Sequence, residues 1–379
     1  MSLPSGGIHI SNPGQVAPGP LRSRLFAPLL ILAALASALG PRPAGAIGRD
    51  YQVREIAPHS FLWIPDDIMD QNGDPLFSRA GNVGFVVTNE GVVVINTANN
   101  PFHAREVLYE IRQRTDLPVR LVIDLGAQGD QVLGNEVFAE QHAVILSTAA
   151  AAAQMRTYRQ RLAHRMTFDS TLPERMRGIH FTLPTRTFQG ETTFNMGAQE
   201  VRVRAFDCGA GAAPGGDAVV YLPAQRALFL GDLYVNGYVP EIGGRDVQRW
   251  IGALGRLSKW NAITYIPGHG DPGSVRGVLN FQGFLEWLDA GVQAGLKEGK
   301  PLAQVEARLL PSSAFNLLAR DLAPLAVATV YEQLIRRGAN QKAGRSVAPQ
   351  LSPNLNSARP AQQNAAGFTH SSRRPPQDY

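Results

Sequence analysis

The stretch LVIDLGAQGDQVLGN, residues 121–135, decides the fold of this 379-residue chain. It continues a near-unbroken apolar run, PVRLVIDL (118–125), of the kind that forms a strand buried on both faces. Glycines and polar residues take over at Gly126, and a short helix is predicted around 135–141. A buried strand that ends in a glycine-rich loop places that loop at the carboxyl end of a sheet. Sites in α/β proteins collect there, because loops converge over a rigid support.

Two further loops have the same character, RALFLGDLYVNG (226–237) and ITYIPGHGDPG (263–273). A fourth segment, FDCGAGAAPGGDAVVYLP (206–223), sets a glycine-rich turn between strands. Its GAGAAPGG lacks the lysine and helix of a phosphate cradle and reads as a turn. Upstream, NVGFVVTNEGVVVINT (82–97) reads as a hairpin turning at Asn89-Glu90-Gly91, with a short strand at 61–64 before it. Ala104, Val107, Leu108 and Ile111 share one helical face. Strands are expected at 143–146, 192–194, 201–206, 218–222, 227–230 and 263–266. Helices are expected over 149–162, within a less regular insert at 147–186, and over 247–257. Another carries Phe281, Phe284, Leu285 and Leu288. A last helix, over 324–337, has proline in its first turn and Gly338 just past its end. This pattern implies mixed α and β in one domain, without solenoid repeats.

The two ends distort the composition. Net charge is +5 and the calculated pI about 9.5, yet residues 1–46 contribute about +3 and residues 341–379 about +4, leaving about −2 between them. The folded part therefore carries no net positive field to attract nucleic acid. Residues 1–46 read as a signal peptide: Arg22 and Arg24, an apolar run at 25–39, then Ala44-Gly45-Ala46. That run is 15 residues long, short of the ~20 that span a bilayer. No stable membrane span is expected after cleavage, and the protein is expected to be periplasmic or secreted. Residues 340–379 read as a disordered basic tail. Cys208 stands alone, which excludes an intramolecular disulfide and suits a small buried residue.

At its strand-end loops the chain resembles the metallo-β-lactamase superfamily, over about residues 51–288. The resemblance is carried by the VVVINTA run closing the hairpin and the Asp-Gln-Val-Leu-Gly-Asn run after the buried strand. Gly216-Asp217 ahead of VVYLP, the FLGD strand end and the PGHG loop complete it. The branch is similar to the periplasmic quinoprotein-associated zinc metallohydrolases. What this implies is an α/β fold of the metallo-β-lactamase-like αββα type, two mixed sheets between helices, over residues 47–339.

Aligned on the DQVLGN run, the family signature His-x-His-x-Asp-His falls on Gly126, Gln128, Asp130 and Gln131. The third-strand histidine falls on Ala213, the bridging aspartate on Asp232 and the last histidine on His269. Asn96 stands where relatives read Asp. The lost ligand positions are thus Gly126, Gln128, Gln131 and Ala213. Glycine and alanine have no donor atom, and Gln128 has only a neutral amide oxygen in place of an imidazole. The resemblance therefore implies that the three-histidine site is gone and that an intact dinuclear zinc site is not expected. Asp130, Asp232 and His269, with Gln131 in a histidine's place, make an oxygen-rich set suited to Mn, Mg or weakly bound Zn. The expected cofactor is none or one divalent metal.

Each of these residues also has a plainer reading. Asp130 after Gly129 equally bonds amides of its own loop, Asp232 equally stabilises a turn, and His269 between glycines equally serves a turn. His59, His103, His142, His164 and His180 occupy no family ligand position and read as surface or helix-packing residues. Two functions follow. The first is a pseudo-enzyme that keeps fold and cleft and binds a small-molecule ligand or a periplasmic partner protein. The second is a divergent metal-dependent hydrolase with a single-metal site at Asp130, Asp232 and His269. In it Asp130, or else Asp232, takes the catalytic part of orienting the attacking water.

Overall fold

The computed structural model describes residues 51–66, 80–158, 160, 176, 178–209 and 216–346. The chain divides into a unit of residues 1–52, of which only Tyr51 and Gln52 are described, and a unit of residues 53–379. The expected signal peptide, His164, Ala213 and the tail beyond residue 346 lie outside the described residues.

The first sheet runs in the order β1 (Tyr51–Ala57), β2 (Ser60–Pro65), β3 (Val83–Thr88), β4 (Gly91–Ile95), β5 (Val119–Ile123), β6 (Val144–Thr148), β7 (Arg186–Phe188). Strands β2 to β4 pair antiparallel, through the expected turn at Asn89 and Glu90, and β4 to β7 pair parallel. Parallel neighbours need crossovers. Helix α1 (Pro101–Arg112) joins β4 to β5, and the short α2 (Gly129–Val132) and α3 (Asn135–Ala139) join β5 to β6. Helix α4 (Ala149–Arg156) follows β6.

The second sheet has the order β12 (Thr264–His269), β11 (Ala227–Val235), β10 (Asp217–Leu222), β9 (Gln199–Phe206), β8 (Glu191–Met196). It is antiparallel from β8 to β11 and parallel between β11 and β12. Helix α5 (Val247–Leu257) makes that crossover, capped by Asp246, whose side chain accepts from the Arg249 amide. Helices α6 (Val275–Lys297), α7 (Leu302–Leu309) and α8 (Ala323–Ser346) follow. Two mixed sheets with helices are consistent with the sandwich that the resemblance implied.

Period-two alternation assigns the faces. Along β10, Ala218, Val220 and Leu222 join Ala227 and Phe229 of β11 in an apolar layer shared with Val93, Ile95, Leu121 and Ile123 of the first sheet. The alternate residues Val219, Tyr221, Leu228 and Leu230 pack into a second layer with Trp250, Leu254 and Leu257 of α5 and Phe281, Leu285 and Leu288 of α6. Cys208 is buried in that second layer, where burial pushes its thiol up to about 12.

Several elements depart from the sequence reading: β7 and the short α2 were not expected, and β12 runs on through His269 rather than ending at Ile266. Helix α7 was not anticipated, and β11 continues to Val235 rather than stopping at Leu230. Gly338 lies inside α8, which runs on to Ser346 and so takes in the first residues assigned to the tail. A glycine stops a helix when it adopts a left-handed C-cap. Gly338 has no positive φ, so it only weakens the helix, by ~1 kcal/mol relative to alanine.

One acid sits fully inside. Asp124, just past β5, accepts from Asn135 Nδ2 at 2.9 Å, and its Oδ1 has no hydrogen-bond partner among the described residues. Burial pushes its carboxyl up to about 8, against the opposing hydrogen bond from Asn135. Between about pH 4 and pH 8 the native state therefore keeps a proton that the unfolded chain has released. Stability from this group is full below the unfolded pKa and falls as pH rises through that window. At ~1.4 kcal/mol per pKa unit the total is on the order of several kcal/mol. Asp124→Asn keeps the shape without the titration. Urea unfolding at pH 4.5 and pH 8 should show the native protein losing more stability than the variant; equal losses would remove this role from Asp124.

Candidate metal centre

β11 and β12 pair in parallel, with Gly231 opposite Pro267 and Val235 opposite His269. The ladder slips on both sides of Gly231, whose φ of 52° is left-handed, a region open to glycine because it has no Cβ. Asp232 follows at once, and its Oδ1 lies 3.7 Å from Nε2 of His269. Trp250 braces this irregular stretch from α5, its indole N–H donating to the Leu233 carbonyl at 2.9 Å. Asp130 arrives from the other sheet on α2, with Oδ2 2.8 Å from the same Nε2. Ligand atoms of Asp130, Asp232 and His269 all lie within 4.8 Å of one another, the one such group among the described residues.

The geometry therefore brings together the three residues that the resemblance singled out. Asp130 is the most open of them, its side chain 23% exposed against 13% for the other two. Gln131 is buried beside them. Its amide faces Asp232 closely enough to favour that carboxylate's charge, yet neither amide atom nor Asp232 Oδ1 reaches a hydrogen bond. Burial and the charge of Asp130 raise the Asp232 carboxyl above its ordinary range, against the pull of His269 and Arg245.

Arg245 was not singled out from the sequence. It is almost fully buried and donates to Asp217 Oδ1 from Nη2 at 2.6 Å and Nε at 3.2 Å, over the Trp250 ring at 5.0 Å. Burial works against its charge, but Asp217 and Asp232 outweigh this and hold the guanidinium above its ordinary value. An arginine in a loop carries no sequence signal for such a role, because only the fold sets it near Asp232.

One divalent ion fits the donor set. Ligand atoms each about 2.0–2.2 Å from an ion stand up to ~4.4 Å apart, so the present spread closes with small side-chain movements. Two oxygens without partners, Asp232 Oδ1 and Gln131 Oε1, are of the hard type that Mn or Mg prefers. Among the described residues, the positions around Gly126 add no further free donor to this group. Gly126 offers no donor, and a Cβ there would meet Gln128 Oε1 and lie 2.8 Å from Gln131 Oε1. Gln128 Oε1 is engaged by the Ala127 amide at 3.0 Å. Asn96 stays outside the cluster: at φ 63° it is buried and accepts from the Leu125 amide at 2.9 Å. His103 bonds Asn99 and His180 bonds Glu136. Neither of them, nor His59 or His142, joins the three.

No family model matches the chain, and no curated protein matches it. Among solved structures it is similar to a metallo-β-lactamase from Pontibacter korlensis, at 21% identity over 62% of this chain and 99% of that one, with a TM-score of 0.48. It is also similar to the crystal structure of VMB-1 at pH 5.5, at 13% identity over 63% of this chain and 98% of that one, with a TM-score of 0.49.

Close approach of backbones holds the cluster. A Cβ on Gly268 would strike Asp232 Oδ1 and lie 2.8 Å from the Gly231 carbonyl carbon and 2.9 Å from the Asp232 amide nitrogen. Backbone atoms cannot step aside as a flexible side chain does. Gly268→Ala should lower stability by about 1–3 kcal/mol and separate Asp232 from His269. Denaturant unfolding checks the first effect, and a crystal structure of the variant the second. Unchanged stability would show that the β11–β12 contact is looser than described.

Proposed function

We propose that this chain is an exported metallo-β-lactamase-fold protein that has lost the three-histidine zinc site and works as a pseudo-enzyme. It binds one divalent cation at Asp130, Asp232 and His269 and, over it, a small-molecule ligand or a partner protein. The observation that carries this reading is the Gly126–Gln128–Gln131 corner. Amide side chains fill the space into which a side chain at Gly126 would extend, and Gln128 is turned back onto its own loop. Export rests on the composition of residues 1–46. Among the described residues no helix is long and apolar enough to cross a membrane.

A second reading, a single-metal hydrolase, is favoured by the convergence of Asp130, Asp232 and His269 and by the unpartnered oxygens beside them. A divalent ion held there supplies Lewis acidity. The protein's own part is to orient a water through Asp130, the most open of the three, while Asp232 and His269 anchor the site.

One set of measurements separates the readings. Purified protein, stripped of metal, is titrated with Mn²⁺ and Zn²⁺ by calorimetry and assayed on chromogenic lactam, lactone and phosphoester substrates. The expected result is about one equivalent of bound cation, lost in His269→Ala, with no turnover above that variant. Metal-dependent turnover abolished by His269→Ala would establish the hydrolase instead. Absence of any bound ion would remove the cation from both.

A further inference from the structure

The end of β12, which carries His269, is tied to the rest of the molecule by two residues that lie far from it in sequence. Gly81 and Asn82 stand immediately before β3, at the start of a run whose composition marks only a strand. The Gly81 amide donates to the carbonyl of Asp130 at 3.0 Å. The Asn82 amide donates to the carbonyl of Gly268 at 2.7 Å. The Asn82 side chain adds two bonds from Nδ2, to Pro267 O at 3.1 Å and Gly270 O at 2.8 Å. Three carbonyls of the PGHG run thus converge on one residue, and the carbonyl of Asp130 rests on its neighbour.

The chemistry of these acceptors defines the residue. Two carbonyl oxygens facing one side-chain atom require a nitrogen there, so the amide orientation follows from its partners. Asn82 is 3% exposed, and its Oδ1 has no hydrogen-bond partner among the described residues. A buried polar atom left unsatisfied is unfavourable. The arrangement is retained because both N–H groups are engaged on either side of His269. Aspartate, nearly the same shape, would set an oxygen against two carbonyls.

We propose that Asn82 is the positioning residue of the site: it holds residues 267–270, the end of β12 and the glycine after it, so that Nε2 of His269 meets Asp130 and Asp232. It touches no ligand atom itself. The proposal rests on the single-cation reading for its binding consequence, and on the His269 geometry alone for its structural one. Partners that orient a metal-binding histidine commonly change affinity by about 10- to 100-fold when replaced.

The test uses the full chain, Mn²⁺ as the probe, and the variants Asn82→Asp and Asn82→Ser. Calorimetry measures the Mn²⁺ dissociation constant well below each melting temperature. Hydrogen exchange of residues 264–270 and the ring nitrogen spectrum of His269 are recorded on metal-free protein. Asn82→Asp should weaken Mn²⁺ binding at least about 10-fold, with Asn82→Ser in between. In the metal-free state residues 264–270 should exchange faster and the His269 ring resonances should move. A lowered melting temperature with the Mn²⁺ constant and the His269 resonances unchanged would overturn the proposal, leaving Asn82 a merely structural residue. Should Asn82→Asp fail to fold, Asn82→Ser decides by the same readouts. Should the unaltered protein bind no Mn²⁺, the cation reading fails on its own. Exchange of residues 264–270 and ring resonances then decide Asn82, and no change in either overturns it.

Discussion

Phe229 of β11 and Leu121, Ile123 and Leu125 around β5 belong to one apolar layer between the two sheets, and the site stands on that layer. Burying such faces is the main favourable term in folding, at roughly 25 cal/mol per Å² of apolar surface. The layer also sets the register. Since strand side chains alternate, a slip of one residue would turn Phe229 outward and Leu228 inward, and the core forbids it. At the edge of the layer the sheets touch through backbone: the Ala218 amide donates to the Leu125 carbonyl at 2.8 Å. A Cβ on Gly231 would lie 3.0 Å from that of Leu125. Asp130 and Asp232 therefore meet because the strands beneath them are already held in contact.

Charge at this seam is partly offset by the protein's own groups. Asp130, Asp232 and Asp217 face His269 and the buried guanidinium of Arg245, which is held charged by its neighbours. Removing one member of a buried pair such as Arg245–Asp217 is strongly unfavourable, because the other is left uncompensated. The imbalance that remains falls on Asp232, whose carboxyl is raised by burial and by Asp130. A site built in this way can exist with or without a cation. Its unpartnered oxygens are where a cation would add most.

The side of the cleft that carried histidines in the resemblance has a different solution here. Gln128 satisfies its own loop, and Gln131 fills the corner beside Gly126. Neutral amides can share that space without the repulsion that several unligated imidazolium groups would bring. Amide side chains fill this corner, while ligand atoms of Asp130, Asp232 and His269 lie within 4.8 Å of one another.

Periodicity in the sequence was enough to place the β3–β4 hairpin, the buried β5 strand and α5, because each has a local pattern of two or 3.6 that burial enforces. It misjudged the end of α8, since Gly338 stops a helix only if tertiary contacts favour a left-handed turn there. The family resemblance singled out Asp130, Asp232 and His269 and the positions where this chain has no histidine, and the structure brings ligand atoms of those three within 4.8 Å of one another. The sequence by itself thus determined which donor atoms are available. Only the tertiary structure decided that these three meet, that Gln131 and Arg245 stand beside them, and that Asn82 holds the end of β12 at His269. Those relations join residues up to 188 positions apart, and hydrogen bonds across such separations leave no periodic trace in the chain that makes them.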